Sequence, residues 1–361
     1  MSNGRGGLQA LVTGGGGFLG GAIVRQLLAR GDQVWSFARG DYPELEALGV
    51  QVLRGDLARA DEVDQRFAEA AAAGCETVFH VAALAGSWGP RAAYQAVNVD
   101  GTDHVIAACR RHGLKRLVYT SSPSVVLCGR DVEGGDESLP YPEQWLAHYP
   151  ATKAVAEQRV LAANGEELGT ISLRPHLIWG PGDGHLLPRL VDRSRRGRLR
   201  RIGNGDKLID AIYIDDAARA HLLADDRLLA ECGRASATSD DGRRADRAAV
   251  AGRAFFITAD DPIETWTMVN HLLAAAGEPP VTKSISARAA RNVGAILETV
   301  WRLLRRSTEP PMTRWVAEEL STSHWFNVSA ARRDLGYAPQ VSLDDGLARL
   351  RSWCAEGGLE A

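Results

Sequence analysis

The fold of this chain is decided by residues 8–20, LQALVTGGGGFLG. The first six of these residues predict a short buried strand, and an amphipathic helix then runs from about Gly17 to Arg30, with Gly31 as its C-terminal stop. Gly14, Gly17 and Gly20 lie in the turn between strand and helix. Without side chains they let the backbone approach a pyrophosphate, and the helix N-terminus offers free N–H groups and a positive dipole end. Strand, glycine-rich loop and helix in this order predict a dinucleotide-binding site.

Strand-like and helix-like segments continue to alternate after this unit. Apolar runs predict strands at residues 33–37, 50–54, 77–80 and 116–120, and helical periodicity predicts helices at 60–73 and 92–112. This alternation is typical of a doubly wound parallel sheet. We therefore predict an α/β protein with an NAD(P)-binding Rossmann fold.

The alternation also suggests a division into two domains. A dinucleotide-binding domain is predicted over residues 1–175, with residues 208–230 returning to it. A smaller, mostly helical C-terminal substrate domain is predicted over 176–207 and 254–361. Residues 231–253 are rich in Ala, Arg, Asp and Ser without periodicity, so a mobile surface loop is expected there.

The composition is that of ordinary globular material. The 361 residues are 45% hydrophobic and 24% charged, and the formal net charge of −3 gives no electrostatic case for a nucleic-acid partner. The five cysteines are scattered without metal-ligand spacing, so reduced thiols and no metal site are expected. Neither a signal peptide nor an apolar run of membrane-spanning length is apparent. These features predict a cytoplasmic enzyme.

Two positions bear on the choice of cofactor. The strand at 33–37 is followed by Ala38 and Arg39, where an NAD-preferring site usually carries Asp or Glu for the ribose 2′-hydroxyl. Arginine in place of a carboxylate suits a 2′-phosphate and predicts NADP(H), with NAD(H) as the alternative if Arg39 is one more surface arginine. Asp56 follows the third strand, where its carboxylate could accept from an adenine amino group or cap the next helix.

A second motif, YPATK at residues 149–153, supplies candidate catalytic groups. Tyr149 and Lys153 are four residues apart, so a helix places them on one face. A lysine ammonium beside a tyrosine favours the phenolate, which predicts a lowered pKa for Tyr149 and proton exchange with a substrate oxygen near neutral pH. The strand at 116–120 ends in Ser121 and Ser122, and a hydroxyl there could hydrogen-bond the same oxygen. Because these groups already polarise the substrate, no metal is needed.

Together these motifs resemble the extended short-chain dehydrogenase/reductase superfamily. The resemblance covers nearly the whole chain and rests on residues 13–20, 80–83, 98–102, 119–122, 149–153, 173–175 and 214–216. It implies that Ser122, Tyr149 and Lys153 are catalytic, with Asn98 in support and Ser121 as the alternative to Ser122. It also implies that the cofactor is held by Gly14, Gly17, Phe18, Leu19, Gly20, Ala38, Arg39, Asp56, Leu57, Ala82, Ala83, Tyr149, Lys153, Pro175 and His176.

Within this superfamily, residues 121–126, 134–142 and 173–183 look most like the 3β-hydroxysteroid dehydrogenase group. Two kinds of member look similar: bacterial 2-alkyl-3-oxoalkanoate (β-keto acid) reductases and decarboxylating sterol-4α-carboxylate 3-dehydrogenases. Arg39 favours the first, an NADP(H)-dependent oxidoreductase that interconverts 3-oxo and 3-hydroxy groups on a bulky apolar substrate carrying a carboxylate or thioester. A 3β-hydroxysteroid or sterol-4-carboxylate 3-dehydrogenase is the alternative. The residues expected to contact the substrate are Trp88, Ser122, His176 and Trp179.

Two further functions stay open on the motifs alone. A UDP-sugar 4-epimerase would share the Tyr149 and Lys153 pair, whereas a 4,6-dehydratase would need an acidic pair where this chain has Pro123 and Ser124. A dinucleotide-sensing regulator without enzymatic activity is the hypothesis from another class. It is disfavoured because such relatives have lost the tyrosine or the lysine.

Three segments raise questions about partners. Residues 193–201 are strongly basic and could bind a substrate carboxylate or phosphate, although a solvated surface is the commoner case. Residues 286–306 carry apolar residues at helical spacing with flanking arginines. A helix packed on the substrate domain is preferred there, with contact to a membrane surface as the alternative. The resemblance further implies a homodimer formed through the helices at 92–112 and 149–163.

Overall fold

The structure, a computed structural model, describes residues 7–235 and 249–359. Its strands are β1 (Gln9–Thr13), β2 (Gln33–Ala38), β3 (Gln51–Arg54), β4 (Thr77–His80), β5 (Arg116–Thr120), β6 (Val132–Gly135), β7 (Gly169–Pro175), β8 (Ile178–Trp179), β9 (Arg201–Ile202), β10 (Leu208–Ile209), β11 (Ile212–Tyr213), β12 (Arg253–Ile257), β13 (Ile263–Glu264), β14 (Ser284–Ile285) and β15 (His324–Phe326). Its α-helices are α1 (Phe18–Arg30), α2 (Pro43–Ala47), α3 (Ala60–Ala72), α4 (Arg91–Tyr94), α5 (Gly101–His112), α6 (His148–Ala162), α7 (Leu186–Arg195), α8 (Ile214–Ala235), α9 (Thr265–Ala275), α10 (Ala287–Leu303), α11 (Arg314–Glu319) and α12 (Leu343–Ala355). A 3₁₀-helix (Pro123–Val126) and two π-helical segments (Gln95–Asp100 and Ala331–Leu335) complete the regular elements.

Seven strands form one parallel sheet in the order β12-β7-β5-β4-β1-β2-β3. The glycine-rich strand β1 is central, paired on one side with β2 and on the other with β4. The order reverses direction beside β1, which creates a crevice at the carboxyl ends of β1 and β4. This sheet confirms the doubly wound Rossmann fold.

Side chains of β1 alternate between two buried layers. Ala10 and Val12 pack in the layer that contains α1 and α8, and Leu11 packs in the layer that contains α3 and α5. Both sides of the strand are therefore covered by helices, which is why its sequence is apolar without the polar alternation of a half-exposed strand.

Helix α8 is held on the sheet by a buried charge. The Asp225 carboxylate accepts from Thr77 Oγ1 at 2.9 Å on β4 and from Arg116 Nε at 2.8 Å on β5. The preceding strands β10 and β11 do not join the main sheet. β10 pairs with β13 and β15, and β11 pairs with β8. Of residues 208–230, the part that lies against the seven-stranded sheet is α8.

Two of the expected boundaries are wrong. Residues 231–235 continue helix α8, and Arg253 begins β12, so the expected loop over 231–253 is shorter; residues 236–248 lie outside the described residues. β12 was expected in the substrate domain from residue 254, yet it is the edge strand of the main sheet beside β7. The sequence around β12 does not show which strand it pairs with, because its partner β7 lies far away along the chain.

The smaller region lies beyond the carboxyl ends of the strands. It contains a four-stranded sheet in the order β13-β10-β15-β6, two short ladders, and helices α7 and α9 to α12. Among the residues described, no helix is both long and apolar enough to cross a bilayer.

Candidate active site

The glycine-rich loop leaves no room for side chains. Gly14 has φ of +72°, a conformation that L side chains rarely adopt, and its amide donates to Phe37 O at 2.8 Å. A Cβ on Gly20 would lie 2.1 Å from Gly14 O, so loop and helix α1 approach each other at van der Waals distance. Gly17 caps α1 without a side-chain hydrogen bond, which leaves the first-turn N–H groups to bind an anion. Phe18 and Leu19 form this first turn. The loop thus has the shape that a dinucleotide pyrophosphate requires.

The expected adenosine end of the site lies at the ends of β2 and β3. Ala38 is buried and Arg39 is exposed at the end of β2. Asp56 accepts from the Ala58 amide at 3.0 Å, so its carboxylate fixes the turn before α3, whose own N-cap is Arg59. Leu57 is buried, and its carbonyl oxygen lies 2.8 Å from His104 Nδ1.

A buried hydrogen-bond chain joins the ends of β1 and β4. Thr13 Oγ1 accepts from the amides of Val81 and Ala82, both at 3.1 Å, so its own proton goes to His80 Nδ1 at 2.8 Å. His80 Nε2–H then donates to Thr102 Oγ1 at 3.1 Å, since Thr102 gives its proton to Asn98 O. Burial and the nearby Lys153 charge lower the pKa of His80 to about 3, in accord with this neutral tautomer. The chain fixes the start of the 81–83 loop, on which Ala82 and Ala83 lie.

Asn98 links this loop to the catalytic helix. It lies in the π-helical segment, where its Oδ1 accepts from Leu84 N at 2.7 Å and its Nδ2 donates to Leu84 O and to Thr152 Oγ1, both at 3.0 Å. Thr152 immediately precedes Lys153 on α6. The π-bulge turns an otherwise ordinary helical position inward. Asn98 therefore holds the Leu84 backbone against helix α6 through its hydrogen bonds to Leu84 and Thr152.

Ser122, rather than Ser121, lies beside Tyr149. Ser122 caps the 3₁₀-helix, accepting from Ser124 N at 3.2 Å, and its hydroxyl is close enough to Tyr149 to affect its ionisation. Ser121 is buried at the end of β5, where its amide donates to Leu173 O at 2.6 Å.

The phenol of Tyr149 is held in its neutral form. Desolvation raises its pKa above the ordinary value, the Ser122 hydroxyl opposes this rise, and Tyr94 and Glu319 reinforce it. The prediction that Lys153 lowers the pKa of Tyr149 is wrong for this geometry. A neutral phenol at neutral pH can donate a proton to a substrate oxygen, which suits reduction.

Lys153 follows Tyr149 by one turn of α6 and is directed into the protein. It is 2% exposed, its ammonium donates to Thr120 O at 2.5 Å, and Nζ lies 4.1 Å from the centre of the Tyr119 ring. Burial lowers its pKa to about 7, and the Glu157 carboxylate opposes that fall. Lys153 is thus a buried cation poised to titrate near neutral pH.

An ion pair that the motifs did not reveal anchors the catalytic helix. Glu157 is fully buried and lies one turn after Lys153. It accepts from Arg174 Nη2 at 2.6 Å, Ser172 Oγ at 2.8 Å and Tyr141 Oη at 2.6 Å. Although burial raises the pKa of Glu157, hydrogen bonds and charge from Arg174 lower it below its ordinary value. The only sequence signal was the spacing of four from Lys153.

His176 differs from expectation. It follows Pro175 at the end of β7, but Nδ1 lies 2.7 Å from Asp210 Oδ1 and Nε2 lies 3.0 Å from His324 Nδ1. His324 Nε2 in turn lies 2.7 Å from Glu319 O, so His176 and His324 belong to one buried hydrogen-bond network. Neither nitrogen is available to a cofactor or substrate. His176 instead ties β7 to β10 and β15.

The other expected substrate contacts separate into two environments. Trp88 is half-buried and lines a cavity of about 490 Å³ together with His148, the residue before Tyr149. Trp179 is 3% exposed and packs edge-on against Tyr213 with ring centres 5.3 Å apart, which favours a core position over the expected substrate contact. Trp315 of α11 lies over the site, with its ring 6.3 Å from that of Tyr149.

The basic segment at 193–201 is largely engaged by the protein itself. Arg195 pairs with Glu278 and Arg196 with Asp192, each at 2.7 Å, and Arg200 donates to backbone carbonyl oxygens of its own segment. These contacts favour a solvated structural surface over an anion site.

Comparison with known proteins decides the family. Residues 11–285 match the 3-beta hydroxysteroid dehydrogenase/isomerase family. The chain belongs to this family.

Individual relatives match the chain along nearly its whole length. The chain is 51% identical over 347 residues to a 2-alkyl-3-oxoalkanoate reductase of Stenotrophomonas maltophilia, covering 96% of this chain and 99% of the relative. It is 34% identical over 360 residues to the decarboxylating sterol-4-alpha-carboxylate 3-dehydrogenase of Schizosaccharomyces pombe, covering 96% and 97%. The UDP-glucose 4-epimerase of Thermus thermophilus, solved in complex with NAD, shares the fold with a TM-score of 0.68 at 22% identity, covering 96% and 99%.

The protein is therefore an NAD(P)-dependent oxidoreductase of the extended short-chain dehydrogenase/reductase type, which acts on CH–OH groups. The dinucleotide supplies or accepts the hydride. The glycine-rich loop and α1 would hold its pyrophosphate. Ser122 and Tyr149 lie beside each other, and Lys153 follows Tyr149 by one helical turn with its ammonium against Thr120 O.

Proposed function

We propose that the protein is an NADP(H)-dependent 2-alkyl-3-oxoalkanoate reductase. The observation that carries this proposal is the 51% identity to a 2-alkyl-3-oxoalkanoate reductase along nearly the full length of both chains. In the forward reaction a hydride adds to C3 of the keto acid, and the Tyr149 hydroxyl gives its proton to the resulting oxyanion. The product is the 2-alkyl-3-hydroxyalkanoate. The raised pKa of Tyr149 supports this direction, since the acid is protonated at rest.

The preference for NADP(H) is supported by the end of β2. Arg39 is exposed there, and the nearest following carboxylate, Asp41, is engaged with Arg54 at 3.1 Å. A guanidinium would pair with a ribose 2′-phosphate, whereas the residue directly after Ala38 is Arg39 and not the carboxylate that would bind a 2′-hydroxyl.

Steady-state kinetics with both cofactors test this preference. Arg39→Ala should raise KM for NADPH by about tenfold and leave KM for NADH nearly unchanged, because one charge-assisted contact is lost. Arg198→Ala, which removes an exposed arginine elsewhere, should change neither. Equal effects of Arg39→Ala on both cofactors would contradict the assignment.

The substrate is tested by direct competition. A 2-alkyl-3-oxoalkanoate should give the higher kcat/KM than a 4-carboxy-3β-hydroxysterol measured in the oxidative direction. The reverse ranking would replace the proposal with a sterol dehydrogenase, for which the 34% identity to the fission-yeast enzyme is the supporting observation.

We also propose a homodimer formed through α5 and α6. Val155, at 38% exposure, is one of the large apolar side chains left on the surface, and it lies on α6. Arg159 of α6 pairs with Asp103 of α5, so the two helices present one continuous surface. A mass of two chains in solution, reduced to one by Val155→Glu, is the expected result. A monomeric wild type would refute the dimer.

A further inference from the structure

Helix α10 carries most of the large apolar side chains that the described part of the chain leaves in solvent. The described residues include seven exposed large apolar side chains. Five of them lie on α10 or directly after it: Val293 (42%), Ile296 (63%), Val300 (37%), Leu303 (79%) and Leu304 (57%). Their spacing of three, four, three and one places them on one side of the helix. We call this surface the apolar face of α10. An apolar face that a monomer leaves open marks an interaction site.

The opposite side of α10 fixes the helix to the protein. Its buried residues are Ala290, Gly294 and Glu298. A Cβ on Gly294 would lie 2.7 Å from the backbone at Thr313, so the helix is as close as it can be to the start of α11. Glu298 accepts from the backbone amide of Arg314 at 2.7 Å. The expected helix packed on the substrate domain thus exists, but it packs through small and charged residues and turns its apolar face outward.

Positive charge accompanies this face at the C-terminal end of α10. Arg305 and Arg306 are exposed, and neither forms an ion pair within the described residues; Arg306 lies with its guanidinium 5.1 Å from the centre of the Trp301 ring. Arg302 is paired with Glu298 at 3.0 Å. An exposed apolar stripe bordered by uncompensated arginines and a tryptophan is the pattern of a helix that lies in the plane of an anionic lipid surface.

The cavity that Trp88 and His148 line ends at the same place. Its lining includes Trp88 and His148 on the catalytic side and Trp301, Arg305 and Arg306 on the side of α10. A surface that covered the end of α10 would therefore lie next to the mouth of this cavity.

We propose that α10 is an interfacial helix, which docks the protein on an anionic phospholipid surface. The apolar face enters the boundary between headgroups and acyl chains, and Arg305 and Arg306 contact the phosphates. A second copy of the chain fits less well, because a two-fold contact through this face would bring like-charged arginines of the two copies together. Should the proposed reaction hold, docking would place the cavity mouth where an alkyl substrate leaves the membrane.

Vesicle flotation tests the docking without cofactor or substrate. Wild-type protein should float with vesicles of phosphatidylcholine and phosphatidylglycerol, mixed about three to one, and much less with phosphatidylcholine alone. The double variant Leu303→Ser/Leu304→Ser should lose about tenfold or more of the bound fraction, since both side chains are exposed and apolar. Arg305→Gln/Arg306→Gln should lose the preference for phosphatidylglycerol, and high salt should have the same effect on wild type.

Leu48→Ser is the matched control. Leu48 is 52% exposed but lies at the end of α2, away from α10, so this variant should float like wild type. Failure of wild type to float, or a Leu303→Ser/Leu304→Ser variant that floats as well as wild type, would overturn the proposal. So would a halved molecular mass of that variant in solution, which would assign the face to a contact between copies. Because flotation needs no turnover, its failure and the failure of the proposed reaction are separate results.

Discussion

Neutralising Glu157 should damage both the stability and the pH profile of the enzyme. The carboxylate is fully buried and accepts from Arg174, Ser172 and Tyr141. Glu157→Gln keeps the shape but leaves the Arg174 guanidinium buried without its counter-charge. Removing one partner of a buried ion pair costs about 3–5 kcal/mol, and glutamine retains some of the hydrogen bonds, so we expect a loss of about 3 kcal/mol in the free energy of unfolding.

The same change acts on Lys153 one helical turn away. Glu157 opposes the fall of the Lys153 pKa to about 7, so its removal should lower that pKa further. Loss of a unit charge at about 6 Å in a protein interior is large enough to move the alkaline limb of kcat/KM for reduction by about one pH unit or more toward acid. Denaturant unfolding and a pH–rate profile from pH 5 to about 9 measure the two effects.

Asp334→Asn is the matched control for this prediction. Asp334 is also buried and paired with arginines, but it lies in the π-helical segment Ala331–Leu335 and does not line the cavity that contains Trp88. Its neutralisation should lower stability and leave the alkaline limb in place. If Glu157→Gln shifted the profile no more than Asp334→Asn, the coupling between Glu157 and Lys153 would be refuted.

Two further predictions follow from burial. Lys153 has a folded-state pKa of about 7 against 10.5 for an ordinary lysine, so burying its ammonium destabilises the fold fully below pH 7, and this destabilisation disappears as pH rises toward 10.5. Lys153→Met should therefore be more stable than wild type at pH 6 and lose this advantage above about pH 10. Equal stability of the two proteins at pH 6 would contradict the prediction. Trp88→Ala should raise KM for the keto acid with little change in the free energy of unfolding. Trp179→Ala should lower the free energy of unfolding by about 3–5 kcal/mol and leave KM unchanged. The opposite pattern would assign Trp179 to the substrate site.

Local patterns predicted the parts of the site that lie within one strand–turn–helix unit or one helical turn. The glycine loop and the pair Tyr149 and Lys153 belong to this class, because their spacing places them on one turn or one helix face, whereas Ser122 was assigned from the family resemblance. The Arg39 position at the end of β2 was predictable for the same reason.

The rest depends on contacts between distant segments. Glu157 meets Arg174 across the α6–β7 connection, and His176 meets His324 across 148 residues. No periodicity in the sequence indicates such pairs, and the family resemblance alone placed His176 at the cofactor and the substrate. Periodicity did identify the stripe on α10, but it cannot tell whether a neighbour covers an apolar face. The local sequence is equally uninformative for Trp179, since it is the same whether this tryptophan lines the site or fills the core.

The most direct test of the central claim is NADPH oxidation with a 2-alkyl-3-oxoalkanoate, comparing wild type with Tyr149→Phe. We expect turnover by wild type and a loss of kcat of about 10²-fold or more in the variant, because the proton donor is removed while the ring remains. Ser122→Ala should also be slow, and Ser121→Ala should keep most of the activity. A Tyr149→Phe variant as active as wild type would contradict the assignment of Tyr149 as the acid, and with it the account of this site.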